Sequence, residues 1–132
     1  MNSLITQPLF WGFFYIVNPF LAEIAQEPRE IRTIGTRVLI SMGGSDLENL
    51  TLDVVRGLLK LKRHDLKVKI VIGACFAESL VEELRSIVED VQGTYKFCFN
   101  SNVPELMLWS DLVITGIGLT RYEAALTGTP NL

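Results

Sequence analysis

From Thr36 onward, apolar and polar positions alternate between two periods, and the switches between them are punctuated by glycine and asparagine. RVLISM (Arg37–Met42) is a short branched apolar run closed by Gly43-Gly44, the mark of a buried strand. Leu47, Leu50, Val54, Leu58 and Leu61 then recur at helical spacing, with Asp53, Arg56 and Lys60 between them. Ser45 lies three residues before Glu48, so the spacing predicts a capping box and a helix over about 46–62. KVKIVIG (Lys67–Gly73) reads as a second strand, and Glu78–Asp90 as a second helix with Leu80, Leu84, Ile87 and Val88 inward. Thr94–Phe99 is a third strand, Asn102 with Glu105 opens a short helix through Trp109, Asp111–Thr115 is a fourth strand, and Thr120–Thr127 a fourth helix. Strict strand–helix alternation implies a doubly wound α/β domain: a mostly parallel sheet with helices on both faces.

The pattern frays at both ends. Residues 1–35 form a linker-like segment interrupted by Pro8, Pro19 and Pro28, with Glu27–Arg32 as an exposed connector and 36–132 as the domain proper. Leu9–Val17 is strongly apolar, yet a membrane span needs roughly twenty residues. No Lys or Arg precedes this run, so it also lacks a signal peptide's charged start. It is expected to be buried against this domain, another domain or a second copy. After the Gly128-Thr129-Pro130 turn, Asn131-Leu132 would begin another strand, which suggests a fragment of a longer protein.

Composition narrows the function classes. The 132 residues suffice for one core, and a net charge of −3 argues against a nucleic-acid binder, which needs a basic footprint. Cys75 and Cys98 lack metal-ligand spacing and read as reduced thiols of a cytoplasmic protein, Cys75 being a packed one. His64, in the KRHD loop, reads as solvated, and no nucleophile–base pair is visible. No catalytic residue, metal or cofactor is therefore expected.

If the strand order is 3-2-1-4, the ligand crevice lies beyond the carboxyl ends of strands one and four. Glycine turns follow both strands: Gly43-Gly44-Ser45-Asp46 and Thr115-Gly116-Ile117-Gly118. Strands two and three end instead in Gly73-Ala74-Cys75 and Phe99-Asn100-Ser101. Such turns are either plain chain reversals or a place where amide N–H groups approach an anion, with helix amino-terminal dipoles behind them. Thr120 and Glu123 also admit two readings. They form a capping box, or Glu123 accepts hydrogen bonds from the vicinal hydroxyls of a ribose. Asp46 and Asn49 suit the first turn of helix one through its dipole. Arg121 is either an exposed helix arginine or a diphosphate contact.

SMGGSDLENLT, with SDLVITGIGLTRYEAALTGTP some sixty residues on, resembles the C-terminal half of GT-B-type nucleotide-sugar enzymes. The likeness is greatest to the UDP-sugar hydrolase of pseudaminic acid biosynthesis and its relatives in spore-coat polysaccharide synthesis. It is weaker to the UDP-N-acetylglucosamine transferase of peptidoglycan synthesis. It runs from about Phe14 to Leu132, with Phe14–Ile24 similar to the inter-domain segment. The resemblance implies a Rossmann-like domain that binds UDP or a UDP-sugar. Gly43, Gly44 and Ser45 would line one wall, and Gly116, Gly118, Leu119 and Thr120 the other, with Glu123 on the ribose. It also implies that the catalytic residues sit on an N-terminal half this chain lacks. Ile117 stands where the family has a glycine, which would weaken binding if that residue needs a positive φ.

Two rivals stand beside this expectation. One is a nucleotide-binding subunit that completes a transferase with a separate chain, as the resemblance to a split eukaryotic UDP-N-acetylglucosamine transferase implies, with Leu9–Val17 as interface. The other, a dinucleotide oxidoreductase, is disfavoured because GGSD is not G-x-G-x-x-G and no acidic residue ends strand two.

Overall fold

The structure, a computed structural model, describes Leu21, residues 29–91 and residues 93–132. The apolar run Leu9–Val17 lies outside the described residues. Strands β1 (Arg37–Ser41), β2 (Lys67–Ile72), β3 (Tyr95–Phe99) and β4 (Leu112–Thr115) alternate with helices α1 (Leu50–Lys60), α2 (Glu78–Ile87), α3 (Val103–Trp109) and α4 (Thr120–Leu126). The sheet is parallel throughout, in the order β3-β2-β1-β4. The fold is thus the doubly wound, Rossmann-like α/β arrangement that the alternation predicts, and the strand order places β1 beside β4.

The two faces of the sheet are unequal. Val38, Ile40, Val68, Ile70 and Ile72 point to one side and pack against Leu52 and Val55 of α1 and Leu80 and Leu84 of α2. The intervening Leu39, Val71 and Val113 point to the other, where Met107 of α3 and Ala124 of α4 pack against them. Both layers exclude water, but the first contains roughly twice as many buried side chains.

Several boundaries differ from the sequence reading. Helix α1 begins at Leu50 and not near Asp46, because Asp46 and Asn49 adopt left-handed backbone (φ 42° and 56°) that a helix cannot contain. Leu47, expected to face inward, is 88% exposed in the resulting turn. Helix α2 stops at Ile87 and gives way to a 3₁₀ turn, Glu89–Val91. Strand β3 lies at the sheet edge; Phe99 is exposed there, while Cys98 on the opposite pleat is buried.

At the amino end of the sheet, the carboxylate of Asp111 accepts hydrogen bonds from the N–H groups of Thr36 and Arg37, both at 2.9 Å. Arg32 stands 3.7 Å away. Arg29, placed by sequence in an exposed connector, is half-buried and donates to the Met107 carbonyl (3.0 Å) and the Thr129 hydroxyl (2.6 Å). Beyond β4, Asn131 forms a parallel bridge to Val113, and Leu132 accepts from the Thr115 N–H. Asn131 and Leu132 therefore lie alongside β4, joined to it by this isolated bridge. Among the described residues, no helix is long and apolar enough to cross a membrane.

Candidate functional site

The register Ser41↔Thr115 brings the carboxyl ends of β1 and β4 side by side, so the two glycine loops leave the sheet as neighbours. Met42 stands between them: a side chain placed on Gly116 would lie 3.6 Å from the Met42 carbonyl oxygen and sulfur. Sequence reading passed over Met42, whose position follows only from the strand order.

The first loop is locked. Gly43 takes φ 89°, a conformation that favours glycine, and turns the chain toward β2. The Gly44 carbonyl then accepts the Cys75 N–H at 2.9 Å. This crossing explains Gly73, which the sequence marked only as a different strand ending. A Cβ on Gly73 would lie inside contact distance of the Gly44 carbonyl oxygen and 2.6 Å from that of Gly43. Outward, nothing lies within 4 Å of a side chain placed on Gly43 or Gly44, so this wall is open to a ligand.

Asp46 overturns the expected Ser45–Glu48 capping box. Its buried carboxylate accepts the Leu50 and Thr51 N–H groups, each at 2.9 Å, and so closes the amino end of α1 itself. Two of the donors that a phosphate would use there are already occupied by a carboxylate. Asn49, at the cap position, makes no side-chain cap bond.

The second loop is built differently. Among the described residues, the N–H groups of Ile117, Gly118, Leu119, Thr120 and Arg121 have no hydrogen-bond acceptor. The Thr120–Glu123 capping box does not form: Leu119 holds the cap position, without a side-chain cap bond. Thr120 is half-buried, and Gly116 and Gly118 do not require positive φ. Ile117 does not either, and its side chain is 96% exposed, so the branched residue fits this turn without strain. Glu123 is half-buried with no hydrogen-bond partner among the described residues, and burial pushes its carboxyl above the usual carboxylate range. Arg121 is exposed with its guanidinium over the Tyr122 ring, 5.8 Å from the centroid.

The remaining candidates stay outside the crevice. His64 is exposed in its loop. Cys75 is exposed and not packed, because the Gly44 contact pulls its backbone under the first loop and leaves the thiol outward. Among the described residues, no group of three or more His, Cys, Asp or Glu side chains stands ready to hold a metal ion.

With this geometry in place, comparison with known proteins gives one relative. Over 96 residues, 70% of this chain, it is 35% identical to an uncharacterized protein, MJ1062, of Methanocaldococcus jannaschii. The chain spans about a fifth of that relative, 19% of its length. No family model matches the chain, and no solved structure matches it.

Proposed function

We propose that the chain is a UDP-sugar-binding domain of a GT-B-like nucleotide-sugar hydrolase or glycosyltransferase, acting in cytoplasmic steps of cell-surface glycan synthesis. One observation carries this reading: both glycine loops leave adjacent strands, β1 and β4, at the carboxyl edge of a doubly wound sheet. The sequence resemblance supplies the ligand class. Among the described residues, the second loop has amide N–H groups with no acceptor, suited to a diphosphate, and Glu123 has a carboxylate with no competing partner, suited to a ribose. In the whole enzyme, water or an acceptor would attack the anomeric carbon with UDP leaving. This domain would stabilise the charge growing on the diphosphate through fixed N–H dipoles. The general base would come from elsewhere, so the domain alone should be catalytically silent.

Calorimetric titration with UDP tests the reading. Wild-type protein should bind, and Glu123→Ala should weaken binding about tenfold, the loss expected from about 1.4 kcal/mol of charge-assisted hydrogen bonding. Since burial raises the Glu123 pKa, affinity should also decline as the pH falls through that raised value and the carboxylate loses an acceptor oxygen. Binding unchanged by Glu123→Ala would remove Glu123 from the site. A folded protein that ignores UDP at millimolar concentration counts against the proposal.

A second reading, a subunit that completes its site with a separate chain, is favoured by the exposed apolar rim. Leu47, Ile117, Leu119 and Tyr122 all stand exposed on or beside the two loops. If that rim meets a separate chain, the protein should co-purify with it in a fixed ratio, and Leu47→Ser with Ile117→Ser should release it in sedimentation velocity. Co-purification that the double substitution leaves unchanged would count against it.

A further inference from the structure

The amino-terminal half of the sheet carries a cluster of cations on the same pleat as Leu39 and Val71. In register, Arg37 stands opposite Lys67, Leu39 opposite Lys69, and Lys69 opposite Lys96. Adjacent strands are about 4.8 Å apart, so these side chains cover three strands within roughly 10 Å. Lys67 and Lys96 are exposed. Lys69 is half-buried, its ammonium 4.0 Å from the centroid of the Trp109 ring, with the Arg37 guanidinium 5.9 Å from the same ring.

Like charges directly opposite on a sheet destabilise it. Elsewhere the domain offsets such charges: the ion pairs among the described residues are Arg32–Asp111, Arg56–Glu83 and Arg63–Asp65. Asp111 also serves Arg37. The three lysines have no carboxylate within 4.0 Å among the described residues, and cation–π contact with Trp109 relieves only Lys69. The fold accepts this repulsion on a face that lies at the end of the strands opposite to the glycine loops.

We propose that Lys67, Lys69 and Lys96, backed by Trp109, form a docking face for a short acidic segment of another polypeptide. Net charge decides among anions. A membrane surface or a nucleic acid needs a wide basic footprint, whereas the chain as a whole is −3 and exposed Glu78, Glu82, Glu83, Glu89 and Asp90 follow α2 on the other face of the sheet. At physiological ionic strength charges are screened beyond about 8 Å, so the α2 carboxylates leave the lysine face itself open to a short anionic partner. A short carboxylate-rich segment touches the lysines alone. The patch is also spread over a sheet face and not gathered around one point, which suits carboxylates spaced along a chain better than a single small anion.

Fluorescence anisotropy with a labelled oligoglutamate peptide tests the proposal on the whole chain. Wild-type protein should bind saturably at low salt, and high salt should weaken binding. Combined Lys67→Gln, Lys69→Gln and Lys96→Gln should weaken it about tenfold or more. Saturating UDP should leave it unchanged, so the result is independent of the nucleotide reading. Lys96→Glu adds a check on folding: it places a carboxylate opposite Lys69, and should raise the thermal midpoint while reducing peptide binding. The proposal is overturned by absent binding, by binding that survives the triple substitution, or by a lower midpoint in Lys96→Glu. Tighter binding to anionic vesicles or to a single-stranded oligonucleotide than to oligoglutamate would overturn it as well.

Discussion

Gly73→Ala should destabilise the domain by about 3 kcal/mol, at the upper end of the cost of forcing extra atoms into a packed site. The obstacle is backbone on both sides. The added methyl would meet the carbonyl oxygens of Gly43 and Gly44, which no rotamer change can move aside. The Gly44–Cys75 hydrogen bond should break with it, since the loop must lift off the end of β2. Two other glycines provide an internal scale. Gly43→Ala meets no atom within 4 Å but must hold φ 89°, at a cost of roughly 1–2 kcal/mol. Gly118→Ala meets neither obstacle and should be close to neutral. Chemical denaturation of the three variants checks the order Gly73, Gly43, Gly118; an equal loss at all three would mean that the loop contact is not what constrains Gly73.

Asp111→Ala should cost a similar amount, about 3 kcal/mol, from two charge-assisted hydrogen bonds lost and two N–H groups left without that acceptor. The carboxylate is 11% exposed and ties Thr36 and Arg37 to the start of β4, so it fixes the chain's entry into the central strand. For a domain of this size the loss corresponds to a fall of about 10 °C in thermal midpoint. The effect should depend on pH. Desolvation pushes the Asp111 pKa up, but the Arg37 and Thr36 N–H groups and the charges of Arg32 and Arg37 outweigh it and hold the value low. A carboxyl with a depressed folded pKa contributes its full stability above its unfolded value, near 3.9, and loses it as pH falls through the folded one. Wild type and Asp111→Ala should therefore differ fully at neutral pH and converge in strong acid. Melting curves that stay equally separated at both ends would show that Asp111 acts by packing and not by charge.

The alternation of apolar periods was enough to read the doubly wound sheet, because buried parallel strands are continuous branched runs and their helices show one apolar stripe. Strand order is not legible in the same way, since nothing local distinguishes a strand that pairs on the left from one that pairs on the right. The helix starts were misread for a related reason. Ser45–Glu48 and Thr120–Glu123 both have capping-box spacing, yet Asp46 and Leu119 hold the structural positions, and the choice depends on backbone dihedrals that composition does not express. Gly73 looked like an ordinary strand end because its constraint comes from Gly44, twenty-nine residues earlier in the chain and adjacent only after folding. The glycine loops were legible as a pair. Their unequal construction was not.

That inequality shapes how a ligand would be held. The loop after β1 is fixed before anything arrives, by its crossing over β2 and by the Asp46 carboxylate within it. Among the described residues, the amides of the loop after β4 have no acceptor, and the loop rests on the thinner of the two packed layers. Conformational entropy lost on binding would thus fall almost wholly on one side of the crevice. On the proposed reading, the β1 side would act as a fixed gauge of ligand shape, with the Asp46 carboxylate within it. A dianionic ligand would then orient with its charge away from Asp46 and toward the β4 loop.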